Sequence, residues 1–88
     1  HPAFRQLVEA SLWYDKIVSK IKKLDVKVKE VEITANPIDI NNIVGHHKQN
    51  TKNLKDFYNV TLKLKQNNSI RPNHFKLKVT KIYEDFKK

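Results

Sequence analysis

Apolar residues recur at helical spacing over residues 3–24. The stripe consists of eight apolar residues and one small residue: Phe4, Leu7, Val8, Ser11, Tyr14, Ile17, Val18, Ile21 and Leu24. The i, i+3, i+4, i+7 recurrence is typical of an amphipathic helix. Pro2 suits the first turn, and three lysines crowd the last turn, where cations meet the negative end of the helix dipole. The pattern therefore predicts a helix over residues 3–24.

The period of the pattern changes to two after residue 25, which predicts a first β-strand. Its apolar positions are Val26, Val28, Val31, Ile33 and Ala35. The first two of these residues and the last three are one residue out of phase. A phase slip within a strand is typical of a β-bulge, which we expect near Lys29-Glu30. Asn36-Pro37 is a dipeptide typical of turns and is expected to end the strand.

Two later segments alternate in the same way and predict two further strands. Their apolar positions are Tyr58, Val60, Leu62 and Leu64 in the first, and Phe75, Leu77 and Val79 in the second. A helix with one apolar stripe and strands with one apolar face bury both by packing on each other. We therefore expect an α+β fold with the N-terminal helix across an antiparallel sheet of three to four strands. The 88 residues allow one such domain, residues 1–88.

Residues 38–53 fit neither period. Ile38 and Ile40 alternate briefly, Ile43-Val44-Gly45 is a short apolar patch, and residues 46–53 are polar. A structureless loop of this length is uncommon in a compact domain. The segment is therefore either a functional loop or partly a fourth strand.

The composition excludes several kinds of chemistry. There is no cysteine, and Gly45 is the only glycine, so thiolate chemistry and a glycine-rich phosphate loop are both excluded. No apolar run approaches the ~18 residues that a membrane span needs. The adjacent His46 and His47 have no carboxylate or cysteine at metal-ligand spacing, and no catalytic triad is recognisable. We therefore expect a non-enzymatic protein without a metal, a cofactor or a transmembrane segment.

The chain carries weak signs of secretion. It begins at His1 and contains no methionine, so we expect a processed product or an excised fragment. Two N-glycosylation sequons begin at Asn59 and Asn67, which favour a secreted chain. The lack of disulfides conflicts with this interpretation, because small secreted domains usually carry them.

Basic residues are the main functional signal. The net charge is +9, of which residues 46–88 contribute +8. If the apolar residues of the two later strands face the helix, four lysines share the opposite face: Lys63, Lys65, Lys76 and Lys78. Lys27 and Lys29 join them if the first strand lies in the same sheet. The predicted function is binding of an anionic partner, which is a sulfated polysaccharide, an anionic lipid surface or an acidic protein.

Two considerations bear on this interpretation. A lysine-rich face is equally consistent with a solvated surface that keeps the protein soluble and discourages edge pairing between sheets. Sequence-specific binding of nucleic acid is not favoured, because single-strand binders need exposed aromatic rings and most rings here are predicted to point inward.

The order of elements resembles that of the cystatins, which inhibit papain-like cysteine proteases. Asn41, Ile43 and Gly45 stand where that family has Gln, Val and Gly in a Gln-x-Val-x-Gly loop between two strands, and Val44 lies within this stretch. Pro72-Asn73 stands where the family has Pro-Trp in its second inhibitory hairpin. The resemblance implies an antiparallel sheet wrapped around one helix. It also implies an alternative function, protease inhibition through residues 41–45 and the loop around Pro72.

Overall fold

A computed structural model describes residues 2–83 of the chain, with side chains from residue 4 onward. It contains three α-helices and three β-strands within those residues: α1 (Pro2–Lys22), β1 (Val28–Ala35), α2 (Ile40–Val44), α3 (Gln49–Tyr58), β2 (Thr61–Gln66) and β3 (Phe75–Ile82). Short 3₁₀ turns at Pro37–Asp39 and His46–Lys48 flank α2. The predicted α+β class, with an N-terminal helix packed on a sheet, is confirmed.

Helix α1 matches the prediction for residues 3–24, but only part of its stripe is buried. Trp13 and Ile17 pack in the core, and Trp13 meets the ring of Phe75 edge-on, with the ring centroids 5.6 Å apart. The buried part of α1 begins at Ala10. Three residues that the stripe predicts to be buried, Phe4, Leu7 and Val8, are therefore exposed.

The three strands form a mixed sheet in the order β2-β1-β3. β1 runs parallel to β2 and antiparallel to β3. The prediction of an antiparallel sheet was thus wrong for one of the two pairings. A parallel pair needs a long crossover connection, and residues 36–60 supply it with α2 and α3.

The predicted β-bulge is confirmed at Glu30. The register of β1 against β3 shifts on both sides of this residue, between Val28 and Glu30 and between Glu30 and Val31. The shift restores the alternation, so that Val28 and Val31 both face the core although they are three residues apart. The later strands lie close to their predicted positions, and β3 continues to Ile82.

Residues 38–53 form short helical segments that are interrupted at Gly45, in contrast to the predicted loop or fourth strand. Tyr58, predicted to begin β2, is instead the last residue of α3 and is exposed. Asn59 ends the helix in a left-handed conformation (φ 58°), and its amide donates to the Lys55 carbonyl at 3.0 Å. This is the αL type of helix end, in which Asn substitutes for the usual Gly.

The side chain of Asn50 joins the crossover to α1. Its Nδ2 donates to the carbonyl oxygens of Ala10 (2.9 Å), Asn42 (3.2 Å) and Ile43 (3.1 Å). Gly45 lies against this junction with φ 88°, and a Cβ there would come within 2.9 Å of the Asn50 backbone nitrogen. Both the conformation and the close approach therefore require glycine at position 45.

The core lies between the helices and one face of β1. Val31, Ile33 and Ala35 alternate along β1 and are completely buried. Ile43 of α2 and Leu54 of α3 are also completely buried and join Ile33 and Ala35 in one cluster. The three helices thus cover the same side of the sheet, and the other side is left open. Within residues 2–83, no helix combines the length and the apolar character needed to cross a bilayer.

Replacing Asn50 by alanine should destabilise the fold by about 2–3 kcal/mol, because three carbonyl oxygens around a buried site lose their donor. Chemical denaturation monitored by circular dichroism measures this change. Asn53→Ala is the matched control. Asn53 lies on the same helix and accepts only one exposed hydrogen bond, from Gln49, so its loss should stay within about 0.5 kcal/mol. Equal effects of the two substitutions would contradict the role assigned to Asn50.

Candidate anion-binding face

The side of the sheet that faces away from the helices, which we call the open face, is formed by alternate residues of the three strands. These residues are Glu30, Glu32 and Thr34 of β1, Thr61, Lys63 and Lys65 of β2, and Lys76, Lys78 and Thr80 of β3. Their strand neighbours Leu62, Leu64, Leu77 and Val79 pack against the buried clusters on the other side. Since successive side chains of a strand alternate between faces, the four lysines point away from the helices.

The register arranges the open face in rows across the three strands. In one row Glu32 pairs with Lys63 on β2 and with Lys78 on β3. In the next row Thr34 pairs with Lys65 and Lys76. The lysines therefore form two columns. The two lysines of one column are about 7 Å apart along their strand, and the two columns are roughly 10 Å apart across the central strand.

The central strand β1 separates these two columns and places Glu32 in one row and Thr34 in the other. Lysines directly opposite each other on neighbouring strands would repel, but β1 lies between β2 and β3 and places Glu32 between Lys63 and Lys78. The sequence alone did not reveal this order of strands. It is the reason that one sheet can hold four lysines on one face without direct lysine–lysine pairs.

Glu30 is the most strongly held side chain of the open face. The Thr80 hydroxyl donates to its Oε1 at 2.8 Å and is 3.1 Å from its backbone oxygen. The Lys63 ammonium lies 3.8 Å from Oε2. The hydrogen bond from Thr80, followed by the charges of Lys81, Lys63 and Lys29, lowers the pKa of Glu30, although its desolvation acts in the opposite direction.

Three of the four lysines have no ion-pair partner among the described residues. Among residues 4–83, no carboxylate lies within 4.0 Å of the ammonium group of Lys65, Lys76 or Lys78. All three side chains are exposed. They are therefore available to anionic groups of a ligand without first breaking a salt bridge.

The two other lysines of the predicted site lie at and just before the start of β1. Lys27 precedes β1 and lines a shallow depression together with Tyr58, Val60 and Tyr83. Lys29 lies next to the bulge, and its ammonium is 5.6 Å from the centroid of the Tyr83 ring. The structure thus brings Lys63, Lys65, Lys76 and Lys78 together and leaves Lys27 outside this group.

The residues of the predicted inhibitory loop are part of the crossover. Asn41, Ile43 and Val44 lie on α2, and Gly45 ends that helix. Ile43 is completely buried, so its side chain is not offered to a partner. Pro72 is exposed in the connection between β2 and β3. Protease inhibition stays a prediction, and the burial of Ile43 does not favour it.

The remaining candidates are surface residues. Both sequon asparagines are exposed: Asn59 ends α3, and the Oδ1 of Asn67 accepts from the Ser69 amide at 2.8 Å. Their glycosylation stays a prediction. The rings of His46 and His47 stack edge-on with centroids 4.0 Å apart. Among the described residues, no group of three or more His, Cys, Asp or Glu side chains is placed to hold a metal ion.

Comparison with protein-family models, curated proteins and solved structures finds no significant match to this chain. The functional interpretation therefore rests on the arrangement of its own side chains.

The lowered pKa of Glu30 predicts a pH dependence of stability. A carboxyl group whose folded pKa lies below the unfolded value stabilises the fold above the unfolded pKa, and this contribution is lost as the pH falls through the folded pKa. The ordinary value for Glu30 is 4.5. We therefore expect the free energy of unfolding to fall below about pH 4.5, and Glu30→Gln to make that fall smaller.

Urea denaturation at several pH values between 3 and 7 measures this difference. Thr80→Val removes the hydrogen bond that is the largest cause of the lowered pKa, so it should reduce the pH dependence in the same direction. Identical pH profiles for the wild type and Glu30→Gln would show that the contacts of Glu30 add nothing to the acid sensitivity of the fold.

Proposed function

We propose that this protein is a non-enzymatic binding protein whose open face engages a linear sulfated polyanion. The observation that carries the proposal is the gathering of Lys63, Lys65, Lys76 and Lys78 on one exposed face, opposite the helices. Each column of lysines can follow a chain of anionic groups, and binding would release the counterions that those groups hold.

The acidic residues at the centre of the open face restrict where an anionic ligand can bind. Glu30 and Glu32 lie on the central strand, so an anionic group is repelled there and attracted at the two columns of lysines. Lys63 is already 3.8 Å from Glu30, which leaves Lys65, Lys76 and Lys78 as the strongest free positive charges of the face. These three lysines are grouped toward the end of the sheet where β1 ends and β3 begins.

The composition of the open face favours a polysaccharide over a lipid surface or a nucleic acid. None of its nine side chains is aromatic or large and apolar, so it offers no ring for base stacking and no group to insert between lipid tails. The large exposed apolar residues of α1 belong to the helical layer on the other side of the sheet. A flat membrane could not contact both surfaces at once.

Neutralising the three free lysines tests the proposal. The triple variant Lys65→Gln, Lys76→Gln, Lys78→Gln should elute from immobilised heparin at clearly lower salt. Three lost contacts should also reduce the slope of log K against log[salt] by about 2–3, since each neutralised anionic group contributes roughly 0.7–0.9 on nucleic acids. Isothermal titration calorimetry with heparin at several salt concentrations measures the slope.

The matched control removes the same charge from another surface. Lys48→Gln, Lys52→Gln, Lys55→Gln acts on three exposed lysines at the start of α3 and within it. If binding depends on net charge alone, the two triple variants will weaken it equally, and the open face is then only a solvated surface. A lower affinity and slope for the sheet variant alone support the proposed site.

A further inference from the structure

A groove runs between the second half of α1 and the edge of the sheet at β3. It has a volume of about 550 Å³. Leu24 and the ring of Phe75 contribute apolar surface, and Ser19 lies on its wall. The wall also includes three lysines, Lys16, Lys20 and Lys23, and one acidic residue, Asp15. Lysine side chains bring an aliphatic stem as well as a charged tip, so this groove is apolar within and carries a net positive charge at its rim.

The edge of β3 next to this groove is free within the described part of the chain. In residues 2–83, β3 pairs with β1 alone, so its other edge presents backbone N–H and C=O groups without a strand partner. The core-facing side chains Phe75, Leu77 and Val79 are only half-buried, whereas Val31 and Ile33 of the central strand are completely buried. The core face is therefore incompletely covered at β3.

The opposite edge of the sheet differs from this one. β2 has six residues against eight in β3, and α3 packs beside it. The groove and its lysines lie at β3 only. A strand added at β3 could therefore form backbone hydrogen bonds with this edge and place side chains in the apolar groove.

Positive charge surrounds the free edge on both faces of the sheet. Lys16, Lys20 and Lys23 lie on the helix side, and Lys76 and Lys78 lie on the open face. The ammonium groups of Lys16 and Lys20 are 4.1 Å from the centroid of the Trp13 ring and 5.6 Å from that of Phe75, respectively. Among residues 4–83, none of the five lysines has a carboxylate within 4.0 Å.

We propose that the free edge of β3 and the adjoining groove bind an extended acidic segment of a partner protein, which adds as a further strand of the sheet. Alternate side chains of an added strand point to opposite faces. One set enters the apolar groove beside Phe75 and Leu77, and the other set meets Lys76 and Lys78. The segment that fits both requirements alternates apolar and acidic residues.

The same lysines disfavour pairing between two copies of this chain. A second β3 would place lysines against lysines across the new strand pair, and like charges in that position are destabilising. A strand with acidic side chains is instead attracted to the lysines of β3. This surface shares Lys76 and Lys78 with the proposed polyanion site, whereas Ser19 and the groove lie outside that site.

Fluorescence anisotropy with a labelled peptide, acetyl-Glu-Val-Glu-Phe-Glu-Val-Glu-amide, tests the proposal. We expect saturable binding, and at least tenfold weaker binding when the N–H groups along one edge of the peptide are replaced by N-methyl groups. Methylation along the other edge should leave binding unchanged, because only one edge of an added strand faces β3. Equal binding of both methylated peptides would overturn strand addition and indicate attraction by charge alone.

Filling the groove provides the matched test on the protein. Ser19→Tyr places a ring in the groove from an exposed position of α1 and should weaken peptide binding at least tenfold. Ser11→Tyr, also exposed on α1 but outside the groove, should have no effect. Unchanged peptide binding by Ser19→Tyr would overturn the proposal.

Heparin titration of the same two variants keeps the two sites apart. Ser19→Tyr should bind heparin like the wild type, because the groove does not belong to the open face. Loss of heparin and peptide binding together in Ser19→Tyr would show one common polyanion surface and would overturn a separate peptide site. Loss of the peptide alone supports it, whether or not the open face binds heparin.

Discussion

The position of β1 between the two other strands determines both the core and the charged surface. Its inward residues Val31, Ile33 and Ala35 are completely buried. Its outward residue Glu32 lies between Lys63 of β2 and Lys78 of β3, and Glu30 is 3.8 Å from the Lys63 ammonium. Because one strand supplies both the buried residues and the intervening acids, a one-residue slip of its register would expose the apolar residues and bury the acids. The bulge at Glu30 maintains this alternation where the sequence itself changes phase.

The crossover between β1 and β2 is the second requirement of the architecture. A parallel neighbour can be reached only by a connection that returns to the starting end of the sheet. Here α2 and α3 make that return and contribute Ile43 and Leu54 to the core. Asn50 holds α3 to α1 through the Ala10 carbonyl and to α2 through the carbonyls of Asn42 and Ile43, and Gly45 provides the close approach that this contact needs. A largely polar segment is thereby fixed without a large apolar surface of its own.

The sequence predicted the elements that have long periodic patterns and missed the two short helices of the crossover, α2 and α3. The stripe of α1, the alternation of β3 and the phase slip at Glu30 each have a direct physical counterpart. Helix α3 was missed because its apolar residues are few and confined to its second half, and only Leu54 of them is buried. The left-handed Asn59 was its one local end signal, and that signal is weaker for Asn than for Gly.

The candidate site, like the fold, could be predicted only in part from the sequence. Alternation places the four lysines on one face whatever the strand order, so their common orientation followed from the sequence. The position of Glu32 between Lys63 and Lys78 depends on which strands are neighbours, and no local pattern encodes that order. The groove beside Phe75 likewise depends on where α1 crosses the edge of the sheet.

The central place of β1 also shapes how the chain reaches its fold. Both of its neighbours are distant in sequence: its residue Glu30 pairs with Thr61, and Val31 pairs with Val79. No strand can therefore join another through a tight hairpin, and long segments must close before the first ladder forms, which makes sheet assembly slow relative to helix formation. During synthesis β1 emerges well before either neighbouring strand, and the helices that cover its apolar face, α1 before it and α2 and α3 after it, all precede β2 in the chain.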